Sequence, residues 1–385
     1  MSDLIFEPSF EADVNRKKDG GRKPEIYEIM HMERAAARIS RTGQAWILEE
    51  TFLPYDLYLE EEGSDWDVDV RQNNLDNFYY WCASRVLSLD RKYAKEILNS
   101  IGAAQAVTDR DRAEISLSYH CVSLTDVFWV RKMGENTTFA QINLYDHTLN
   151  EALVEISLRG RQMTVTNQEL AQDLSTRGCF PKAWIRRKDG FYLLKDGDED
   201  AVWRELLASR ICQCFAIPQV VYRQSFFQGQ PVTKSRLVTS KKYSMVSKMS
   251  FDIFAANHDL DTLSICRRMD PVTYYGMNLL DYLTGNTDRH PENWGFLVDN
   301  ETNQYISLYP VMDFNRSFLA YDTLEGANCQ TVFPEKMSQR EAAMEAVKRI
   351  GLPQTGEVDM GWFGTKTAEA EMFRERLALL RRCLR

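Results

Sequence analysis

The stretch GNTDRHPENWGFLVD, residues 285–299, is the most informative part of this 385-residue sequence. It places Asp288 five residues before Asn293, and a second carboxylate, Asp313, follows a segment that has the pattern of a β-hairpin. Phosphoryl transfer from ATP uses such a set: one carboxylate orients the acceptor hydroxyl, while an amide oxygen and a second carboxylate hold Mg²⁺. The spacing therefore predicts an ATP- and Mg²⁺-dependent phosphotransferase.

A lysine and a glutamate upstream extend this set. Lys195 ends the apolar run FYLLK, and Glu205 lies in WRELLASRI, which has helical spacing. In kinases a strand lysine contacts the ATP phosphates and is held by a glutamate on the following helix. Taken alone, such residues are usually surface groups. Their order before Asp288 favours the functional interpretation.

Composition excludes several classes of protein. The net charge of −9 argues against broad nucleic-acid binding, for which a basic surface supplies most of the affinity. No apolar run reaches the ~20 residues needed to span a bilayer, and the first residues lack the apolar core of a signal peptide. The eight cysteines form no C-x-x-C pair, so a zinc site is not expected. We therefore expect a cytoplasmic protein with no membrane or direct nucleic-acid partner.

The pattern along the chain predicts an α+β fold that contains a bilobal, kinase-like part. Residues 1–160 are predicted to form an N-terminal α+β domain of unknown role. A small strand-rich lobe is predicted over residues 161–252, where Asp189-Gly190 marks a hairpin between two apolar strands. A helical lobe that carries the catalytic loop is predicted over residues 253–385.

Periodicity and turn signals predict the individual elements. Residues 75–102 have helical spacing, whereas the run ISLSYHCVSL, residues 115–124, is interpreted as strand. A helix over residues 201–215 is expected to end before Pro218, because the residue before a proline disfavours helix. The run YSMVSKM, residues 243–249, is interpreted as the strand that ends the small lobe.

From about residue 165 onward the chain resembles the HipA-like kinases, bacterial Ser/Thr protein kinases of the toxin–antitoxin type. The matching features occur in order: a loop that ends in Pro181-Lys182, the strand lysine Lys195, a helix that opens with Glu205 and closes at Ile217-Pro218, the block GNTDRHPEN, and Asp313 after the next hairpin. The string DRHxxN is also similar to phosphoinositide 3-kinase-type enzymes, a more distant resemblance.

The resemblance implies a role for each matching residue. Asp288 would be the catalytic base, and Asn293 and Asp313 would hold Mg²⁺. Lys195 would bind the ATP phosphates and would be supported by Glu205. His290 would order the catalytic loop or aid transfer, although a structural, hydrogen-bonded histidine is at least as common.

The resemblance also implies where the nucleotide lies. The loop STRGCFPK, residues 175–182, would cover the phosphates through its backbone N–H groups, with Ser175, Gly178 and Lys182 as candidate contacts. The hinge that receives adenine would lie between Val246 and Met249. A simple surface turn would explain the loop residues equally well.

Three features depart from the family pattern. The N-terminal domain shows no family motif. The Asp313 motif is DFN, and Asn315 enters the left-handed region less readily than the usual glycine. The regulatory serine that such kinases carry in the phosphate-covering loop has only Ser175 or Thr176 as candidates.

Three functions remain open on the sequence. The first is a Ser/Thr protein kinase whose substrate is an unidentified protein and which has a possible small regulatory partner protein. The second is a lipid or small-molecule kinase, which DRHxxN favours. The third is a nucleotide-binding scaffold with little turnover, which the glycine-poor loop and the DFN variant favour.

Overall fold

The computed structural model describes residues 25–63, 67–85, 108–147, 182–195, 199–227, 230–319, 323–329, 333 and 337–384. Within them, three groups of elements surround one cleft. We call these groups the N-terminal unit (residues 25–147), the small lobe (residues 182–236) and the helical lobe (residues 243–384).

Within the described residues, the N-terminal unit is an antiparallel sheet of order β3-β2-β1-β4 together with three helices. Its elements are β1 (Ile26–His31), β2 (Arg34–Ser40), β3 (Ala45–Ile47), α1 (Val68–Ser84), α2 (Asp109–Ser118), β4 (Phe128–Lys132) and α3 (Phe139–Ile142). Alternation along β1 buries Tyr27 and Ile29 in the core beneath α1, and this core also contains Phe78 and Trp81. The unit therefore has a hydrophobic core of its own.

The small lobe is a second antiparallel sheet, of order β5-β6-β8-β7, with one helix against it. Its elements are β5 (Lys182–Arg187), β6 (Gly190–Lys195), α4 (Glu199–Cys212), β7 (Tyr222–Phe227) and β8 (Gln230–Arg236). The predicted hairpin at Asp189-Gly190 joins β5 to β6. Gly190 adopts a φ of +137°, which side chains rarely allow. The glycine thus explains why the chain reverses at this point.

The helical lobe contains the largest part of the core. Its elements are β9 (Tyr243–Ser247), α5 (Lys248–Asn257), α6 (Thr262–Met269), α7 (Pro271–Thr284), β10 (Gly295–Asp299), β11 (Gln304–Leu308), β12 (Asn328–Cys329), β13 (Met337–Ser338), α8 (Gln339–Ile350) and α9 (Thr367–Arg382). Helix α7 is buried along most of its length, and Gly285 ends it in the left-handed conformation. The segment from Asn286 to Asn293, which the sequence predicts to be the catalytic segment, therefore starts from a buried helix end.

The predicted α+β class is confirmed, and the strand-rich small lobe and the helical lobe lie on either side of the cleft. The predicted limit between residues 160 and 161 lies outside the described residues, so the domain bounds stay a prediction. Helix α4 and the hairpin of β10 and β11 are present where the sequence predicts them. In the part of the chain that the structure describes, no helix is long and apolar enough to cross a membrane.

The strand predicted at residues 115–124 is wrong. Residues Asp109–Ser118 form helix α2. The helix starts with a capping box, in which Thr108 accepts from the backbone N–H of Asp111 while the Asp111 side chain accepts from the N–H of Thr108. The helix then packs on α1. Capping and tertiary packing outweigh the alternating pattern.

The run predicted to end the small lobe lies elsewhere. Strand β9 pairs with β10, and β10 pairs with β11, so β9 belongs to the sheet of the helical lobe. The edge of the small-lobe sheet is instead formed by β7, and its inner strand β8 was not predicted. The pattern alone could not assign the partner, because strand pairing is decided by residues far apart in the chain.

One buried histidine of the N-terminal unit makes stability depend on pH. His31 is 3% exposed and packs between the rings of Phe52 and Phe128. Burial lowers the pKa of His31 to about 4. An unfolded histidine has a pKa of about 6.5, so between these values the unfolded chain binds a proton that the native chain does not. We expect this group to remove about 3 kcal/mol of stability as the pH falls from about 6.5 to about 4.

Urea unfolding at several pH values between 7 and 4 measures this loss. In the variant His31→Phe, the loss of unfolding free energy between about pH 6.5 and about pH 4 should be smaller by about 3 kcal/mol, because the titrating group is absent. An identical pH dependence in the variant and the wild type would contradict the assignment.

Candidate active site

A cavity of about 470 Å³ lies where the N-terminal unit, the small lobe and the helical lobe meet. Lys195 and Tyr222 line it from the small lobe, and Asp288, Asn293 and Asp313 line it from the helical lobe. The predicted catalytic residues, which are up to 118 positions apart in the chain, thus lie around one space.

The ammonium group of Lys195 lies between two carboxylates. Its Nζ donates to Oε1 of Glu205 at 2.9 Å and to Oδ1 of Asp313 at 2.8 Å. Lys195 is 5% exposed and Glu205 is 1% exposed, so these charges are taken out of water. Buried charges are tolerated only when they are paired and hydrogen-bonded. These two hydrogen bonds therefore hold the Lys195 side chain, at the end of β6, next to both helix α4 and Asp313.

The surroundings keep Lys195 charged. Burial lowers the pKa of Lys195, but the carboxylates of Asp313 and Glu205 raise it by more, so that the net pKa lies well above its usual value. The second oxygen of Glu205 accepts a hydrogen bond from the hydroxyl of Thr233 on β8. A permanently cationic lysine is suited to hold an anionic ligand such as a phosphate group.

The backbone at Asp313 is held in an uncommon conformation. Asp313 has a φ of +60°, in the left-handed region, which aspartate enters more readily than most residues. Its N–H donates to the hydroxyl of Tyr222 at 3.0 Å. Asn315, where the sequence raised the question of a positive φ, is not among the residues with that conformation. The left-handed residue of the DFN motif is thus its aspartate.

The catalytic segment is tied together from within by Arg289. This guanidinium forms two hydrogen bonds with the carboxylate of Asp281 on α7, at 2.8 and 2.9 Å. It also donates to the backbone carbonyls of Asn293 and Met312. Burial lowers the pKa of Arg289, but Asp281 raises it by more, so the side chain stays charged. One side chain therefore connects the catalytic segment to the residue before Asp313.

Asp288 and Asn293 are positioned by local bonds. The amide nitrogen of Asn293 donates to the backbone carbonyl of Asp288 at 2.8 Å, and the N–H of Asp288 donates to Oδ1 of Asn286 at 3.3 Å. The carboxylate of Asp288 faces the cavity and lies 3.7 Å from the guanidinium of Arg316. His290 also lines the cavity, and its Nδ1 accepts from the N–H of Glu292 at 3.3 Å.

The donor set fits a magnesium ion. Because the nitrogen of the Asn293 amide is bound by Asp288, its oxygen is the atom left to act as a ligand. Asp313 supplies a carboxylate, and Mg²⁺ prefers such oxygen ligands. Asn315, which also lines the cavity, has a buried Oδ1 that accepts no hydrogen bond within the described residues. Asn293 and Asp313 thus present the oxygen atoms that the predicted metal site requires, and their role as ligands stays a prediction.

The predicted nucleotide contacts are only partly visible. Val246 lines the cavity, whereas Met249 does not, and the backbone N–H of Met249 donates to the carbonyl of Pro291 at 3.1 Å. Ser175 and Gly178 lie outside the described residues. Lys182 begins β5, but its side chain also lies outside them.

Several positioning residues were not found from the sequence. These are Asp281, Tyr222, Thr233 and Arg316. The sequence contains a weak indication of the role of Asp281, because a carboxylate within the apolar helix α7 requires a buried partner. Tyr222 and Thr233 lie on strands whose pairing was unknown.

Comparison with known proteins gives structural neighbours only. No protein-family model matches the sequence, and no curated protein matches it. The structure is similar to HipA of Shewanella oneidensis MR-1, solved as a toxin–antitoxin complex with HipB and operator DNA (TM-score 0.49, 12% identity, 93% of this chain and 91% of that chain). It is also similar to the proinflammatory kinase CtkA of Helicobacter pylori (TM-score 0.39, 15% identity, 52% of this chain and 90% of that chain). The predicted resemblance to HipA-like kinases is confirmed as a structural similarity.

Proposed function

We propose that this protein is an ATP- and Mg²⁺-dependent kinase that phosphorylates a protein serine or threonine. One observation carries the proposal: Lys195 binds both Glu205 and Asp313 in a cavity that also presents Asp288 and Asn293. A lysine fixed between a helix glutamate and a metal-binding aspartate, opposite an Asp-x-x-x-x-Asn pair, is the arrangement that phosphoryl transfer uses.

Each residue has one task in this proposal. Asp288 accepts the proton of the acceptor hydroxyl while the oxygen of that hydroxyl bonds to the γ-phosphorus and the bond to ADP breaks. Lys195 binds the phosphates of ATP. Asn293 and Asp313 would hold Mg²⁺, which neutralises the charge that develops on the phosphate oxygens.

The identity of the acceptor separates this proposal from its alternative. His290 within DRHxxN lines the cavity, and this favours a lipid or small-molecule acceptor as the second candidate. A panel of proteins, inositol lipids and metabolites, incubated with labelled ATP, distinguishes the two. A small regulatory partner protein is part of the proposal on the sequence resemblance alone, and co-purification from the source cell tests it.

The first experiment is incubation of the full chain with Mg²⁺ and γ-labelled ATP, followed by intact-mass measurement. We expect the wild type to gain mass in steps of one phosphoryl group or to label an added protein acceptor. The variant Asp313→Ala should do neither, because it loses a metal ligand and a partner of Lys195. Equal labelling by both proteins would contradict the assigned site, and ATP binding without transfer to any acceptor would favour a nucleotide-binding scaffold.

A further inference from the structure

The cavity at the active site extends beyond the two lobes. Its wall continues into the N-terminal unit, where Ser123, Thr125 and Asp126 line it together with Trp81 and Arg85. These residues therefore face the same space as Lys195 and Asp313. The N-terminal unit therefore closes the side of the cavity that the small lobe and the helical lobe leave open.

The N-terminal unit bonds directly to strand β9 at this wall. The backbone carbonyl of Thr125 accepts from the N–H of Met245 at 2.8 Å. The hydroxyl of Thr239, in the connection before β9, donates to the carbonyl of Leu124 at 2.6 Å. The hydroxyl of Tyr145 donates to the same carbonyl at 3.1 Å. The loop of residues 123–126 is thus bound to strand β9 and to the connection that precedes it.

The register of β9 shows which backbone groups remain for a ligand. The carbonyl of Val246 points toward β10, since a Cβ on Gly295 would lie 2.0 Å from that oxygen, and the N–H of Lys248 also faces that side. Successive residues of a strand point their polar groups to opposite edges. Met245 and Ser247 therefore point their backbone N–H and C=O groups to the outer edge of β9. At this edge the carbonyl of Thr125 already accepts from the N–H of Met245.

The hydroxyls beside this edge form a pair. Oγ of Ser123 lies 2.7 Å from Oγ1 of Thr125, and it also accepts from the N–H of Thr125 at 3.1 Å. Both carboxylate oxygens of Asp126 accept hydrogen bonds from the guanidinium of Arg85, at 2.7 and 3.0 Å. This ion pair holds the loop in place. The hydroxyl of Thr125 also donates to Oδ2 of Asp126 at 3.4 Å, and both hydroxyls lie at the cavity wall, where their remaining lone pairs can contact a ligand.

We propose that the loop of residues 123–126 is a wall of the ATP site: it fixes the edge of β9 on which the adenine base docks, and the hydroxyls of Ser123 and Thr125 contact the nucleoside. The inference rests on the proposed kinase function. It gives the N-terminal unit a task within the active site. An adenine base offers one donor and one acceptor side by side, and the carbonyl of Met245 and the N–H of Ser247 offer the complement on that edge.

Calorimetric titration of the full chain with the non-hydrolysable analogue AMP-PNP and Mg²⁺ tests this. We expect the double variant Ser123→Ala/Thr125→Val to weaken the dissociation constant about three- to tenfold, as for loss of one or two hydrogen bonds. Thr125→Trp, which fills the wall, should weaken it at least about tenfold. Ser118→Ala is the matched control, because this hydroxyl of the same unit bonds the carbonyl of Ile115 and does not line the cavity.

Melting curves without nucleotide show whether each variant is folded. If the double variant melts at a lower temperature than the wild type, the single variant Thr125→Val replaces it. Wild-type affinity in the folded Thr125→Trp and Thr125→Val variants would overturn the inference and leave the kinase proposal intact. Failure of the wild type itself to bind AMP-PNP would overturn both.

Discussion

The variant Asp288→Asn should transfer phosphate at least about 100-fold, and up to about 10,000-fold, more slowly than the wild type, which is the range that a general base contributes. The asparagine has nearly the same shape, but it cannot accept the proton of the acceptor hydroxyl. The backbone bonds that Asp288 makes with Asn286 and Asn293 do not involve its side chain, so they persist in the variant. Its charged partner within the described residues, Arg316, is half exposed and lies 3.7 Å away, and such pairs contribute little to stability.

Single-turnover transfer rates, measured beside an unfolding curve, separate chemistry from folding. Glu292→Gln is a matched control, since this carboxylate also lines the cavity and the proposal gives it no task. The control should keep a rate close to that of the wild type. An Asp288→Asn protein that transfers phosphate at the wild-type rate would show that another group is the base.

Chemistry could be predicted from the sequence where it depends on residues that are close in the chain. The spacing from Asp288 to Asn293 is local, and so is the step from a strand lysine to the next helix, ten residues from Lys195 to Glu205. These pairs are brought together by one loop or one strand–helix turn. The meeting of the two pairs in one cavity depends instead on contacts between residues up to 118 positions apart, and their catalytic roles stay predictions.

Long-range contacts could not be predicted in this way. Tyr222 accepts from the N–H of Asp313 across 91 positions, and Thr125 contacts Met245 only because the N-terminal unit packs against strand β9. For these two contacts the missing information is tertiary, since a strand edge does not identify its partner from periodicity. Helix α2 is a different case: its capping box joins Thr108 and Asp111, which are close in the chain, and it outweighs the side-chain alternation that predicts a strand.

The buried ion pair of Arg289 leads to the second large effect, on stability. Arg289 is 8% exposed and Asp281 is 4% exposed. Removing one partner of such a pair leaves the other charge uncompensated, which costs about 3–5 kcal/mol. Arg289→Met keeps most of the side-chain volume but removes the cation paired with the Asp281 carboxylate, which still accepts from the Asn286 amide, and the donor to the carbonyls of Asn293 and Met312. We therefore expect a loss of about 3–5 kcal/mol in the free energy of unfolding.

Urea unfolding of three variants separates this effect from the general consequences of losing an arginine. The same substitution at the half-exposed neighbour, Arg316→Met, should cost less than about 1 kcal/mol. In the double variant Asp281→Asn/Arg289→Met no buried carboxylate is left alone, so part of the loss should be recovered. If Arg289→Met costs no more than Arg316→Met, the pair does not hold the catalytic segment. If the cost is as expected, Asp288 and Asp313 share one anchor, because the same guanidinium binds the segment that carries each of them.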